Sequence, residues 1–330
     1  GGPARLPAQN VEADAFHDAR RSEPAAREKL IALANEAAVP AIVRATAVSE
    51  LPGFPSIASE EAIARALADP DPLVRIAGLR GQAGQPLDVR WRRVSPLLAD
   101  PVAGARIEAA SQLADQPTST LTEADRTKLE AAWREYEAAQ RLNADRAEAR
   151  ANLGNFLLRR GDVAGAEMEF LAGLKLQPAN AGLMINLAEL YRLQGREDEA
   201  RETLRRAIAA QPDAAAPYHT LALALIRQRH YPEAVDHLAR AVALAPENPR
   251  YAYVYAVALS STGRRAESAA VVSDALRRTP NDAPLLTLAL NEALQSGDID
   301  RARTLIPRLV SLRPDDAELA RLAERLRSPR

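Results

Sequence analysis

The sequence predicts an all-α fold in which helix pairs stack into a superhelix, or solenoid, and three observations lead to this prediction. Prolines recur at one constant interval in the C-terminal part, arginines recur at a shorter interval in the N-terminal third, and the apolar side chains are mostly Ala, Leu and Val. Hydrophobic residues make up 47% of the 330 residues, yet aromatic residues make up only 4%. Ala and Leu are strong helix formers, whereas strands are enriched in β-branched and aromatic residues, so stacked helices are favoured over a β-sandwich.

A 34-residue unit occurs five times between residues 147 and 316. Its prolines are Pro178, Pro212, Pro246, Pro280 and Pro314, and twelve positions before them lie the small residues Ala166, Ala200, Ala234, Ser268 and Ala302. Proline ends the preceding helix, and a small side chain lets two helices cross closely. A glycine lies five positions before each small residue, except that Arg229 takes its place once. Because glycine tolerates the left-handed backbone of a tight turn, each unit is predicted to be a helix pair joined at this position.

These units resemble the tetratricopeptide repeat (TPR). The first reads Leu153-Gly154, Leu157, Ala166, Phe170, Gly173 and Pro178, and the second reads Leu187-Ala188, Tyr191, Ala200, Leu204, Ala207 and Pro212. The resemblance implies helix–turn–helix units that complete one another's core, with the first helix of each unit lining a concave groove. After them, residues 317–330 are predicted to form an amphipathic helix that caps the apolar end of the stack.

The N-terminal third has a different period. Arg44, Arg75 and Arg106 follow one another at a constant 31-residue interval, and the turns Asp69-Pro70 and Asp100-Pro101 each precede a predicted helix. Helix pairs with this turn and a Val-Arg in the second helix resemble HEAT repeats, and three such units cover residues 24–116. A lead segment and short helix precede them at residues 1–23. Residues 122–146 are predicted to form a TPR-like helix that bridges the two repeat regions.

Composition and motifs argue against several classes of function. The 43 basic and 44 acidic residues leave a formal net charge of −1, which does not favour nucleic-acid binding. The chain has no cysteine, which excludes disulfides, zinc–thiolate sites and covalent c-type haem attachment in this chain. No apolar run approaches the about 20 residues that a membrane span needs, so no membrane insertion is expected. The four histidines match no metal-binding spacing, and no catalytic motif is present, so we expect neither a metal nor a resident cofactor nor enzymatic activity.

A stack of such repeats is typical of a scaffold that binds a protein or an extended peptide. The residues predicted to line the groove are Asn152, Asn155, Arg159, Asn186, Glu189, Arg192, His219, Arg227 and Tyr253. Asn152 and Asn186 occupy the same position of consecutive units, and their amides can pair with both polar groups of a peptide backbone. Arg159, Arg192 and Arg227 predict a basic ladder suited to acidic side chains. The alternative, that these are ordinary solvated residues on an exposed face, stays open.

Three segments carry a narrower resemblance. They are residues 138–146, which lead to Asn152-Leu153-Gly154-Asn155, residues 69–75, and residues 248–258. They are similar to the C-terminal HEAT-plus-TPR region of bacterial multihaem c-type cytochromes that contain TPR repeats. The resemblance implies a periplasmic location and a docking arm for an electron-transfer module, with a redox protein as partner.

In that family the haem-bearing segments lie N-terminal to this region. The first residues, Gly1-Gly2-Pro3, are neither a Met start nor a signal peptide, and we expect a processed or truncated N-terminus with haem in the missing part. The alternative function is a structural element that packs on its own haem domain, or on a second copy of the chain, without a separate ligand.

Overall fold

The computed structural model describes residues 8–327, which form nineteen α-helices, three short 3₁₀ turns and the segments between them. All regular secondary structure in these residues is helical, which confirms the predicted all-α solenoid class. The beginning of the predicted lead segment, residues 1–7, lies outside the described residues, as do residues 328–330 at the end of the predicted capping helix. The helices belong to two compact units: one runs to Tyr136 and resumes at Asn281, and the other is Glu137–Pro280.

The first unit begins with eight helices. They are α1 (Ala8–Arg20), α2 (Ala26–Asn35), α3 (Ala41–Glu50), α4 (Ile57–Ala66), α5 (Pro72–Arg80), α6 (Leu87–Val94), α7 (Ala103–Gln112) and α8 (Glu123–Leu142), the last of which ends in the second unit. The helices α2 and α3 pack together, α3 packs on α5, and α5 packs on α7, so the arginine period produces stacked layers. Leu30, Leu51 and Val74 are fully buried in the core of these layers. Whether residues 24–116 are HEAT repeats stays a prediction.

The three periodic arginines of the N-terminal third link consecutive layers. The ion pairs are Arg44–Asp69 at 2.8 Å, Arg75–Asp100 at 2.7 Å and Arg106–Glu135 at 2.6 Å between guanidinium nitrogen and carboxylate oxygen. Asp69 and Asp100 belong to the Asp-Pro turns, and each also accepts a hydrogen bond from the backbone N–H two residues later. The hydrogen bond from Arg75 lowers the pKa of the Asp100 carboxyl below its usual range. The third acceptor comes from α8, so this helix takes the place that the next Asp-Pro turn would occupy.

The second unit contains four helix pairs. They are α9 (Ala147–Arg159) with α10 (Val163–Leu176), α11 (Ala181–Leu193) with α12 (Glu197–Ala210), α13 (Ala215–Arg227) with α14 (Tyr231–Leu244), and α15 (Pro249–Ser261) with α16 (Arg265–Arg278). Within each pair the two helices pack together, and α10, α12 and α14 each pack on the first helix of the next pair. Ala166, Ala200, Ala234 and Ser268, the predicted small residues at the helix crossings, are fully buried.

The turns inside the helix pairs have the left-handed backbone that the sequence predicts. Gly161, Gly195 and Gly263 have φ angles of 83°, 74° and 81°. Arg229 occupies the equivalent turn between α13 and α14 and has a φ of 62°. The backbone at Arg229 therefore adopts the same left-handed conformation as the three glycines, although a residue with a Cβ disfavours this conformation.

The first unit resumes with α17 (Ala283–Ser296), α18 (Ile299–Leu312) and α19 (Ala317–Arg327). The pair α17–α18 has a fully buried Ala302 at its crossing and a left-handed Gly297 in its turn. The last helix packs on α18 and buries Ala323 and Leu326, and the Arg303 guanidinium donates to the Leu326 carbonyl at 2.8 Å.

These last helices also contact the first ones. Arg27 Nη1 donates to the Ser311 carbonyl at 3.2 Å, the Ile57 N–H donates to Asp315 Oδ2 at 2.8 Å, and Asn281 Nδ2 donates to Glu23 Oε2 at 3.2 Å. We call this set of contacts the terminal clasp. It borders a cavity of about 260 Å³ lined from both ends of the chain, and it brings the beginning and the end of the chain into one compact unit.

Candidate functional site

The first helices of the second unit present one continuous accessible surface. Helix α9 contacts α11 and α11 contacts α13, while the His219 ring of α13 lies 4.7 Å from the Tyr251 ring of α15. We call this surface the first-helix face. Its accessible side chains are Asn152, Asn155 and Arg159 on α9, Asn186, Glu189, Arg192 and Leu193 on α11, Thr220, Leu223 and Arg227 on α13, and Arg250, Tyr253, Val254 and Val257 on α15. Eight of the nine predicted groove residues therefore lie on one surface.

The α9 end of this face is polar. Asn152 and Asn155 are accessible one helical turn apart on α9. Asn152 also lines a surface concavity with Gln140, Asn143, Arg146, Glu148 and Ala149. Side-chain amides both donate and accept hydrogen bonds, so this end can pair with the N–H and C=O groups of an extended peptide.

Helix α11 does not continue the predicted basic ladder. Arg192 Nε donates to Glu189 Oε2 at 2.8 Å on the same helix. This hydrogen bond lowers the pKa of Glu189 and raises that of Arg192. Arg192 also lies one position short of the repeat spacing from Arg159, and Leu193 takes the equivalent position with 55% of its surface exposed. The ladder is therefore interrupted, because its middle charge is engaged by a neighbour on its own helix.

His219 lies beneath the face. It is 6% exposed, its ring packs against Tyr251, and its Nε2 has no hydrogen-bond partner. Burial and the nearby charge of Arg250 lower the pKa of this imidazole to about 4, so the ring is neutral near pH 7. The sequence predicts that His219 lines the groove, but its ring is buried and does not contribute to the accessible surface. Its side chain points toward the next helix pair and is covered by the aromatic side chain of α15.

The α13–α15 end of the face is apolar between two arginines. Leu223, Val254 and Val257 are accessible together with Tyr253. Arg227 ends α13 and Arg250 lies in the first turn of α15. The predicted residues omitted Arg250 and Leu193. The repeat register could have found both, since Leu193 follows Arg159 and Arg250 follows Ala216 by one repeat.

Residues 8–327 contain neither a cluster of metal ligands nor a helix that could span a membrane. No group of three or more His, Asp or Glu side chains lies close enough together there to hold a metal ion. In the same residues, none of the helices combines the length and the apolar content that a bilayer span requires.

Comparison with known proteins identifies the repeats of the second unit. Family models for the tetratricopeptide repeat match residues 157–224 and 219–283. Residues 157–283 are tetratricopeptide repeats. They include α11 to α15 and most of the first-helix face, so the face belongs to a TPR array.

The chain spans 56% of the length of one relative and 11% of another. The TPR repeat-containing protein PA4299 of Pseudomonas aeruginosa is 31% identical over 140 residues, which are 40% of this chain and 56% of that protein. The Protein O-mannosyl-transferase TMTC1 of Mus musculus is 35% identical over 105 residues, 29% of this chain and 11% of that protein. Among solved structures, PilF of Pseudomonas aeruginosa has a TM-score of 0.46 with 19% identity, over 67% of this chain and 99% of that one.

Proposed function

We propose that the chain is a protein-binding scaffold whose first-helix face holds an extended peptide segment of a partner. The observation that carries this proposal is the pair of side-chain amides Asn152 and Asn186, which occupy the same repeat position on adjacent helices of one accessible surface. TPR proteins generally mediate binding to proteins or peptides, and a binding role needs no catalytic group. The face offers amides for the peptide backbone and separate charged and apolar positions for its side chains.

Selection of peptides from a random dodecapeptide phage library on immobilised protein tests this proposal. We expect selected peptides to bind in fluorescence anisotropy, and the variant with both Asn152→Ala and Asn186→Ala to bind them about five- to thirtyfold more weakly, since each lost hydrogen bond contributes about 1 kcal/mol. Glu202→Ala is the control, because this exposed residue lies on the second helix α12. Equal affinity of both variants would place the binding surface elsewhere, and a library without binders would contradict the proposal.

The resemblance to TPR-containing multihaem cytochromes supports a more specific proposal. We propose that the chain is the docking arm of such a cytochrome in the periplasm and that its partner is a redox protein. An absorbance spectrum and an intact mass of the full native gene product test this. A Soret band with added haem masses is the expected result, and a colourless protein of nearly this mass would contradict the cytochrome proposal while leaving the peptide-binding scaffold intact.

A second function is favoured by the outer surface of α10. Met168 is 69% exposed and Leu171 is 42% exposed, one helical turn apart, and Leu176 is exposed near the helix end. Such a stripe is suited to packing on the chain's own haem domain or on a second copy, without a separate ligand. If these residues pack on a second copy, Met168→Glu would reduce the mass measured by light scattering, whereas Asn186→Ala and Arg192→Ala would change nothing. A monomer with intact peptide binding would contradict packing on a second copy.

A further inference from the structure

The first-helix face changes character along the repeats while the repeat register stays the same. At the position of Asn155, the later repeats place Leu223 on α13 and Val257 on α15, and at the position of Asn152 the last repeat of the unit places Val254. Tyr253 and Val257 are each 37% exposed. Since α9 carries Asn at the positions of Leu223, Val254 and Val257, folding of the helix pair does not require apolar residues at these three positions. We call these four residues, Leu223, Tyr253, Val254 and Val257, the α13–α15 patch.

Two arginines border this patch without partners of their own. Among residues 8–327, neither the Arg227 nor the Arg250 side chain forms a hydrogen bond or an ion pair. The charge of Arg227 acts on Glu189, but that carboxylate is already bound by Arg192. The neutral ring of His219 lies under the patch and adds no charge.

The position of Arg250 argues against a role in helix stability. It lies in the first turn of α15, where the positive end of the helix dipole opposes a cation. The equivalent residues of the preceding repeats are Glu148, Gly182 and Ala216, none of which carries a positive charge. A guanidinium that disfavours its own helix and has no acidic partner is suited to a carboxylate from outside.

The spacing of the two arginines sets the length of the segment that could reach both. Arg227 and Arg250 are at opposite ends of helices that run in the same direction, about 16–20 Å apart by helix geometry and helix packing distance. An extended peptide advances about 3.3 Å per residue, so it covers this distance in about five or six residues.

We infer that the α13–α15 end of the face is selective for an extended segment in which apolar residues are flanked on both sides by acidic residues. This inference rests on the proposed peptide-binding function and names the chemistry of its partner. The carboxylates would pair with Arg227 and Arg250, and the apolar side chains between them would cover the patch. The amides of α9 would bind the adjoining peptide backbone and would not discriminate between peptide sequences.

Three fluorescein-labelled decapeptides test this inference by fluorescence anisotropy. Each has four or five apolar residues, flanked by Asp and Glu in the first, by two Lys in the second and by two Ser in the third. We expect the acidic peptide to bind the unaltered chain about tenfold or more tightly than the lysine peptide, with an affinity that falls as salt is raised. Arg250→Glu should abolish that preference, because one arginine and one carboxylate then border the patch, whereas Arg206→Glu, a substitution of an exposed arginine on α12, should leave it unchanged.

A second variant tests the apolar part separately. Val257→Asn introduces the residue that α9 carries at the same position, so the helix pair should fold normally, and it should weaken the acidic peptide about tenfold. Peptides selected from the library that bind but show no charge preference, or that ignore all α13–α15 variants, would overturn this inference and leave the proposed function standing. If neither the library nor the three decapeptides yielded binding, both would be overturned.

Discussion

Single residues decide how well each repeat fits the backbone that the stack imposes. The turns inside the five TPR-like helix pairs all have a left-handed residue, and four of them use glycine. A Cβ added at Gly161, Gly195, Gly263 or Gly297 would meet no heavy atom within 4 Å. A side chain in this turn is therefore destabilising through backbone strain and not through a steric clash. Arg229 is the residue at which this strain occurs.

We expect Arg229→Gly to stabilise the protein, because the left-handed conformation costs a residue with a Cβ about 1 kcal/mol more than glycine. Urea denaturation measures the change in the free energy of unfolding. Gly195→Arg in the neighbouring repeat is the matched control and should destabilise by a similar amount. A less stable Arg229→Gly variant would mean that the Arg229 side chain contributes more than its backbone strain costs.

His219 gives the second prediction for a single residue. Its folded-state pKa of about 4 lies below the about 6.5 of an unfolded histidine, so the unfolded chain binds a proton more readily. The free energy of unfolding should fall by about 1.4 kcal/mol per pH unit as pH drops from about 6.5 to about 4, and this contribution should be constant above that range.

His219→Ile, which introduces the residue that α11 has at this position, isolates the effect, because the lowered pKa of His237 contributes in both proteins. We expect unfolding titrations at several pH values to show a shallower loss of stability in the variant. Identical pH profiles would mean that the His219 ring is accessible to protons in the folded chain.

At the scale of helix pairs, the 34-residue register specifies which residues lie at the helix crossings. Ala200 is fully buried in α12 and the equivalent residues of the other repeats are buried as well. Facing α10, Gly154 leaves room for the Phe170 ring, since a Cβ there would lie 2.4 Å from it. Close packing of this kind explains why small residues recur at crossings whereas the outer surfaces vary.

Ala200→Glu should destabilise the protein by about 3 kcal/mol or more, because it places an unpaired carboxylate at a fully buried crossing. Ala209→Glu on the same helix is the control, since Ala209 is exposed and its substitution should change little. Thermal unfolding of both variants provides the measurement. A melting curve of Ala200→Glu that matches the unaltered chain would contradict the assigned register.

At the scale of the whole chain, the terminal clasp has no counterpart in the repeat pattern. Asp315 accepts the Ile57 N–H at the start of α4, where a carboxylate also interacts favourably with the helix dipole. The contacts join residues that are 258 or 284 positions apart in sequence. They are polar and partly exposed, so each contributes modestly, and the first turn of α4 depends on one of them directly.

Asp315→Ala should lower stability by about 0.5–1.5 kcal/mol and speed hydrogen exchange at the start of α4. Glu318→Ala on α19 is the control, because its exposed side chain takes no part in the clasp. Hydrogen exchange followed by mass spectrometry reports separately on the start of α4 and on α19. Unchanged exchange at the start of α4 in Asp315→Ala would show that the clasp does not form in solution.

The repeat pattern alone was sufficient to predict the helix pairs and most of the first-helix face. Some residues act only through their own backbone or the nearest helix, as Pro178, Gly161 and Ala166 do. Their roles can be predicted from their spacing, because every repeat needs the same turn and the same close helix crossing. The first-helix face can be predicted from the same register, since residues one turn apart lie on the same side of each first helix. The sequence by itself therefore determined the fold class, the pairing of the helices in each 34-residue unit and the repeat position of Asn152 and Asn186.

Tertiary structure decided what depends on the distance between side chains of different elements. The engagement of Arg192 by Glu189, the burial of His219 under Tyr251 and the choice of Glu135 as the acceptor for Arg106 all depend on which rotamers and neighbours meet once helices pack. The terminal clasp joins residues that are 258 or 284 positions apart in sequence, and the 34-residue period specifies only how each repeat packs on the next. Contacts between such distant residues are decided by packing and not by the repeat pattern.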